Sequence, residues 1–142
     1  MGNRAVITTS TSEDVKNSKD IGIYLHWNGG RDSVEGFLKF CELAGYRSPD
    51  VDNYGWAQLC RIIGNFFGDG MSVGIDTCDH LDCDNYDNGV YIIRNWKIVD
   101  RKYFNGKEQS KFPLIEMLKA INNSQPENQR LDESIINSVG NV

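Results

Sequence analysis

Two strand-like runs, GVYIIRN and KIVDRKYF, meet across little more than Asn95 and Trp96. So short a connection admits one geometry, a tight antiparallel hairpin, because parallel strands need a far longer crossover. Three further runs read as strands: RAVITTS and DIGIYLHW near the N-terminus, and MSVGIDT in the middle. The polar TSEDVKNSKD between the first two reads as an exposed connection. Five strands around a hairpin set the frame into which the helical runs must fit.

Those helical runs follow from periodicity. Val34, Phe37, Leu38 and Cys41 recur at helical spacing after Asp32, which sits where an N-cap belongs, with Glu35 three residues on to complete a capping box; Gly45 ends the run. Trp56, Leu59, Cys60, Ile63, Phe66 and Phe67 mark a second helix, entered through RSPDVDN and punctuated by Gly68 and Gly70. SKFPLIEMLKAI reads as a third, with Ser110 as cap, Pro113 in the first turn, and Phe112, Ile115, Leu118 and Ile121 inward. Past Pro126 a short helix or frayed tail remains. The 142 residues suit one domain, and 39% hydrophobic with 25% charged residues is a globular composition. The expectation is a single α+β domain over residues 1–142, an antiparallel sheet of about five strands with two or three helices on one face. No apolar run approaches the ~20 residues that span a bilayer, and no signal segment is evident, so a cytoplasmic protein is expected. Cys41 and Cys60 fall on helical apolar faces and Cys78 and Cys83 in an acidic loop; all four are read as reduced.

The net charge of −5 is unevenly placed. Between Arg61 and Arg94 there is no Lys or Arg, while Asp69, Asp76, Asp79, Asp82, Asp84 and Asp87 supply negative charge. A basic stripe for phosphate backbones is absent, which disfavours duplex nucleic acid. The segment CDHLDCDNYDNG reads as a surface loop whose sharper role is contact with the basic surface of a partner protein, through Asp79, Asp82, Asp84, Tyr86 and Asp87, with association electrostatically steered. Aromatic residues beside Gly, Asn and Asp, in HWNGG, NYGWA and DNYDNG, are candidate interface anchors.

A second candidate site is the stretch HWNGGRDSVEGFL, residues 26–38. A strand, a Gly-rich bend and a helix start leave backbone N–H groups where an anion binds. Around Gly29 and Gly30, Arg31 offers a fork of donors, Asn28 an amide, Trp27 or Tyr24 a stacking face and His26 a titratable donor, enough to hold a nucleotide, with room for a site shared across a homo-oligomer. The plainer reading is a tight turn, since glycine accepts positive φ at no steric cost and Asp32 would compete for the same amides. The run is neither GxxxxGK[ST] nor GxGxxG.

Catalysis and metal binding find less. Cys78, His80 and Cys83 are soft ligands, but a fourth is missing and the spacing is no known zinc module. Aligning Gly89 with the EF-hand glycine puts Tyr86 at an oxygen-ligand position and Asn95 where a bidentate Glu belongs. Asp76, Asp79 and Asp82 could gather magnesium for phosphodiester cleavage, although Asp runs of this kind more often serve turns. No Gly-x-Ser-x-Gly or His-Glu-x-x-His motif occurs. No cofactor and no metal are therefore expected, and an enzyme is the weaker expectation.

NRAVI, YLHWNGGRDSV, YGWA and NFFG, spread over residues 3–68, together with the later NGVYII pattern to about residue 104, resemble small phage, prophage and mobile-element proteins of Gram-positive bacteria. The resemblance implies a context, not catalytic residues: such proteins often counter host defences, by occupying a CRISPR effector or by trapping a nucleotide signal. A non-enzymatic inhibitor of a host defence complex, acting in the host cytoplasm, is the first expectation. A nucleotide sponge at Trp27–Arg31 is the second, and a metal-dependent phosphoesterase the third.

Overall fold

The hairpin forms across the expected turn in the computed structural model, which describes residues 3–68 and 71–140. Strands β4 (Val90–Arg94) and β5 (Lys97–Lys102) pair antiparallel, and Asn95 and Trp96 between them have φ of 52° and 61°. Positive φ at both central residues gives the turn whose twist matches that of the strands. The bulky Trp96 tolerates this because its ring is buried and its indole N–H donates to the Tyr46 carbonyl at 2.7 Å, while the Asn95 N–H donates to Asp50 at 3.0 Å.

β1 (Ala5–Thr8), β2 (Ile21–Leu25) and β3 (Val73–Thr77) complete a five-stranded sheet of order β3-β2-β1-β4-β5. The α+β class and the five strands are as expected, but the sheet is mixed: β1 and β4 run parallel, the other pairs antiparallel. The parallel pair follows from the route of the chain. Residues 78–89 carry it from the edge strand β3 across the sheet to the far side of β1, and a crossover of that length is what a parallel pairing needs.

Alternation sorts the strand residues onto two faces. Ala5, Ile7, Ile23, Leu25, Tyr91 and Ile93 face α1 (Arg31–Leu43), α2 (Tyr54–Phe67) and α3 (Leu114–Ser124), with α4 (Glu133–Val139) adding Ile136. α1 and α3 approach closely at Gly36, where a Cβ would lie 2.8 Å from Ile121 Cδ1. Val6, Val90 and Ile92 point the other way and are covered by Val15, Leu81, Cys78 and Cys83. Val15 belongs to a 3-10 turn, Val15–Asn17, inside the connection expected to be exposed. Both faces of the sheet are therefore covered, one by helices and one by loops. Each Val, Leu or Ile among these side chains that is fully removed from water contributes roughly 1.5–3 kcal/mol.

The helix boundaries differ from expectation at two starts. Gly30, not Asp32, occupies the N-cap of α1. Asp32 instead accepts from the backbone N–H groups of Lys111 and Phe112 at 2.9 and 3.1 Å, and Glu35 pairs with Arg31 rather than closing a capping box. α3 starts at Leu114 behind Pro113, so Ser110 caps nothing and Phe112 is exposed; Leu118 and Ile121 are inward as expected. Gly45 and Gly68, each at φ 78°, close α1 and α2 in the left-handed conformation that suits glycine. Gly70 lies outside the described residues.

Candidate functional site

The turn at 26–31 is shaped by backbone crowding. A Cβ on Gly29 would stand 2.5 Å from the Asn3 carbonyl oxygen, and one on Gly30 would strike the Gln109 carbonyl. Gly29 also offers its carbonyl to the buried Tyr91 hydroxyl at 2.7 Å. The side chains expected to hold an anion do not converge. Arg31 donates to Glu35 and Glu108 at 2.7 and 3.1 Å, Asn28 donates to Ser33 at 3.1 Å, and His26 hydrogen-bonds Tyr24 at 2.8 Å. Trp27 keeps an exposed face against His26.

The acidic loop is a structural plug with a charged rim. Cys78, Leu81 and Cys83 anchor it on the sheet, which corrects the picture of a solvated connection. Asn85 organises its far end: the fully buried amide donates to the carbonyls of Asp82 and Gly89 and accepts from the N–H groups of Asp87 and Gly89, at 2.9–3.2 Å. Asp79, Asp82 and Asp87 are paired with cations from elsewhere in the chain, and Asp76 with a histidine of the same segment. Arg4 reaches Asp87 at 2.8 Å and Asp82 at 3.3 Å, Lys19 pairs with Asp79, and His80 faces Asp76 at 3.3 Å. The Lys19 ammonium and the Thr77 hydroxyl hold the Asp79 carboxyl at about 2. The Thr77 N–H, with His80, keeps Asp76 below the usual range. Partial desolvation pushes Asp87 up, but hydrogen bonds from the Arg4 side chain and backbone outweigh it, and its carboxyl too lies below the ordinary value. Asp69 lies outside the described residues. Asp84 is exposed and has no ion-pair partner among the described residues.

Asp84 stands at a groove of about 540 Å³ lined with Tyr86, Asp87, Tyr103, Phe104 and Asn105. The groove exists because the chain twice turns outward there: Tyr86 has φ 62° and is 90% exposed, and Tyr103 has φ 54°. Gly89 lets the loop run against β5, where a Cβ would strike the Lys102 carbonyl. Behind the groove Arg101 is sandwiched between the rings of Phe104 and Tyr91, 3.9 and 4.0 Å from their centroids, and also pairs with Glu108. The Tyr103 ring carries the chain's own Lys16 ammonium, 5.6 Å from its centroid, as Phe104 carries Arg101, so it is the Asp84 carboxylate and the exposed Tyr86 ring that suit an incoming guanidinium or ammonium group, which gains both an ion pair and a cation–π contact.

The loop residues Asp84, Tyr86 and Asp87 thus line one groove, Asp79 and Asp82 point their charge at Lys19 and Arg4, and the groove's other wall was missed. Tyr103 and Phe104 read only as the end of a strand, and Arg4 and Lys19 lie far away in sequence, so a window count of charge could not find them. Cys78 and Cys83 are buried while His80 is exposed, so the three soft ligands do not converge. No group of three His, Cys, Asp or Glu residues suited to a metal ion occurs among the described residues. No helix among them is long and apolar enough to cross a membrane. No family model, curated protein or solved structure matches the chain.

Proposed function

We propose that this chain is a non-enzymatic binding protein whose groove at Asp84, Tyr86 and Tyr103 receives a basic side chain from a protein partner. The observation that carries the reading is the Asp84 carboxylate, without an ion-pair partner among the described residues, beside the exposed Tyr86 ring at the mouth of a groove lined by three aromatic residues. The phage-type resemblance over residues 3–68 gives the partner its class: a host defence complex with a basic, nucleic-acid-binding surface, most directly a CRISPR effector. The contact is narrower than the whole acidic loop, because Asp76, Asp79, Asp82 and Asp87 are already paired within the chain.

The nucleotide-sponge reading keeps the exposed Trp27 ring in its favour but needs Arg31 to leave both Glu35 and Glu108. The phosphoesterase reading gains nothing from the described side chains. Affinity capture from a bacterial lysate, with mass spectrometry of proteins and heat-released small molecules, separates the three. A protein partner should be captured by the wild type, released by salt, lost from an Asp84→Asn/Tyr86→Ala double variant and kept by Asp79→Asn. Capture unaffected by the double variant, or a nucleotide recovered without any protein, would overturn the proposal.

A further inference from the structure

The two edges of the sheet are treated differently. Edge strands offer unpaired backbone groups to other chains, and proteins guard them with charge, proline or bulges. β5 is guarded: it carries Lys97, Asp100, Arg101 and Lys102, and its pairing with β4 is interrupted by a bulge at Ile92/Ile93. β3, with the sequence VGIDT, has no Lys, Arg or Pro and no bulge against β2. Ile75 is 52% exposed on it, beside the 44% exposed Ile21 of β2.

The backbone of β3 is also aimed outward in a self-matching way. Cys78 N–H donates to the Asp20 carbonyl and His26 N–H to the Ser72 carbonyl, which marks 20/78 and 26/72 as hydrogen-bonded pairs of the β2–β3 ladder. Hydrogen-bonded and open pairs alternate in an antiparallel ladder. Val73, Ile75 and Thr77 therefore fall at open pairs, and their N–H and C=O groups face away from β2, the Thr77 N–H being taken by the Asp76 carboxylate at 2.7 Å while its carbonyl faces outward.

We propose that β3 is the seam of a homodimer, pairing antiparallel with β3 of a second copy about a twofold axis at Ile75. In that register Ile75 exchanges two backbone hydrogen bonds with Ile75 of the second copy, and Val73 N–H donates to the carbonyl of Thr77 of the second copy. In this register Asp76 falls opposite Gly74, so no like charges stand directly opposite each other, and the two Asp76 side chains are diagonal neighbours about 7–8 Å apart. The two Ile75 side chains lie adjacent on the face where they and Ile21 are otherwise left in water. The guarded β5 edge stops the ten-stranded sheet from growing into an open array.

Sedimentation equilibrium of the full chain, from about 1 to 500 µM, tests this in the range where weak interfaces act. The average mass should climb from 16.1 kDa toward twice that value. Ile75→Lys, at a half-exposed position, should keep the helical circular dichroism and stay monomeric, and Val99→Lys on the guarded edge should dimerise like the wild type. Ile75→Cys treated with diamide should form a covalent dimer, the two thiols passing two electrons and two protons to the diamide, since residues facing each other in a hydrogen-bonded pair lie about 5.5 Å apart at Cα, within disulfide reach. Wild type with its half-buried Cys60 is the control. A monomer at every concentration, a dimer indifferent to Ile75→Lys, or no cross-link above the wild-type level would each overturn the proposal.

Discussion

Asn85 shows how much one side chain can hold when both its amide atoms are used. Four hydrogen bonds converge on it from the backbone of its own loop, in a fully buried site. Asn85→Ala should cost about 3 kcal/mol, seen as a lowered urea midpoint, because two N–H donors and two carbonyls lose their partner in the interior. A cost below about 1 kcal/mol would mean that water re-satisfies the loop. Asn85 was not legible in advance as anything but a polar loop residue. Nor was Arg4: the window between Arg61 and Arg94 truly lacks cations, yet the folded chain brings Arg4 and Lys19 to it. Charge counted along a chain carries no information about ion pairs made across it.

Among the elements, the strands, the Asn95–Trp96 turn, and the cores of α1 and α2 could be read from periodicity, because burial on one face imposes it. The helix starts could not. Asp32 has the chemistry of a cap, but the 109–112 segment offers it two backbone donors that no local pattern announces. Glycines divide the same way. Gly29→Ala should destabilise by about 2–4 kcal/mol, since its Cβ would meet backbone at Asn3 that cannot yield, whereas Gly64→Ala, inside α2 with nothing within 4 Å of the added carbon, should stabilise by about 0.5–1 kcal/mol. Paired thermal melts of the two variants check the opposite signs; a destabilised Gly64→Ala would show that α2 lies closer to its neighbours than the geometry describes.

For the molecule as a whole, the depressed carboxyls of Asp76, Asp79 and Asp87 tie stability to acid. Their folded values lie below the unfolded ones, so the unfolded chain takes up protons first as pH falls. The stability they contribute is fully present above the ordinary Asp value of about 4 and is lost as pH drops toward about 2, where Asp79 titrates. The melting temperature should therefore decline steadily from pH 5 to pH 2, and Lys19→Met should flatten part of that decline; a flat profile in the wild type would show that the pairs do not persist in solution. The mixed sheet was the part of the architecture least open to sequence reading, because the parallel β1–β4 contact joins residues some eighty positions apart and leaves no local mark. That contact also has a consequence for how the chain is made. β1 leaves the ribosome first but is flanked in the finished sheet by a strand that is among the last to be translated. One side of the central strand stays open until β4 emerges, so these strands cannot lock one after another and must wait for β4 before the middle of the sheet can close.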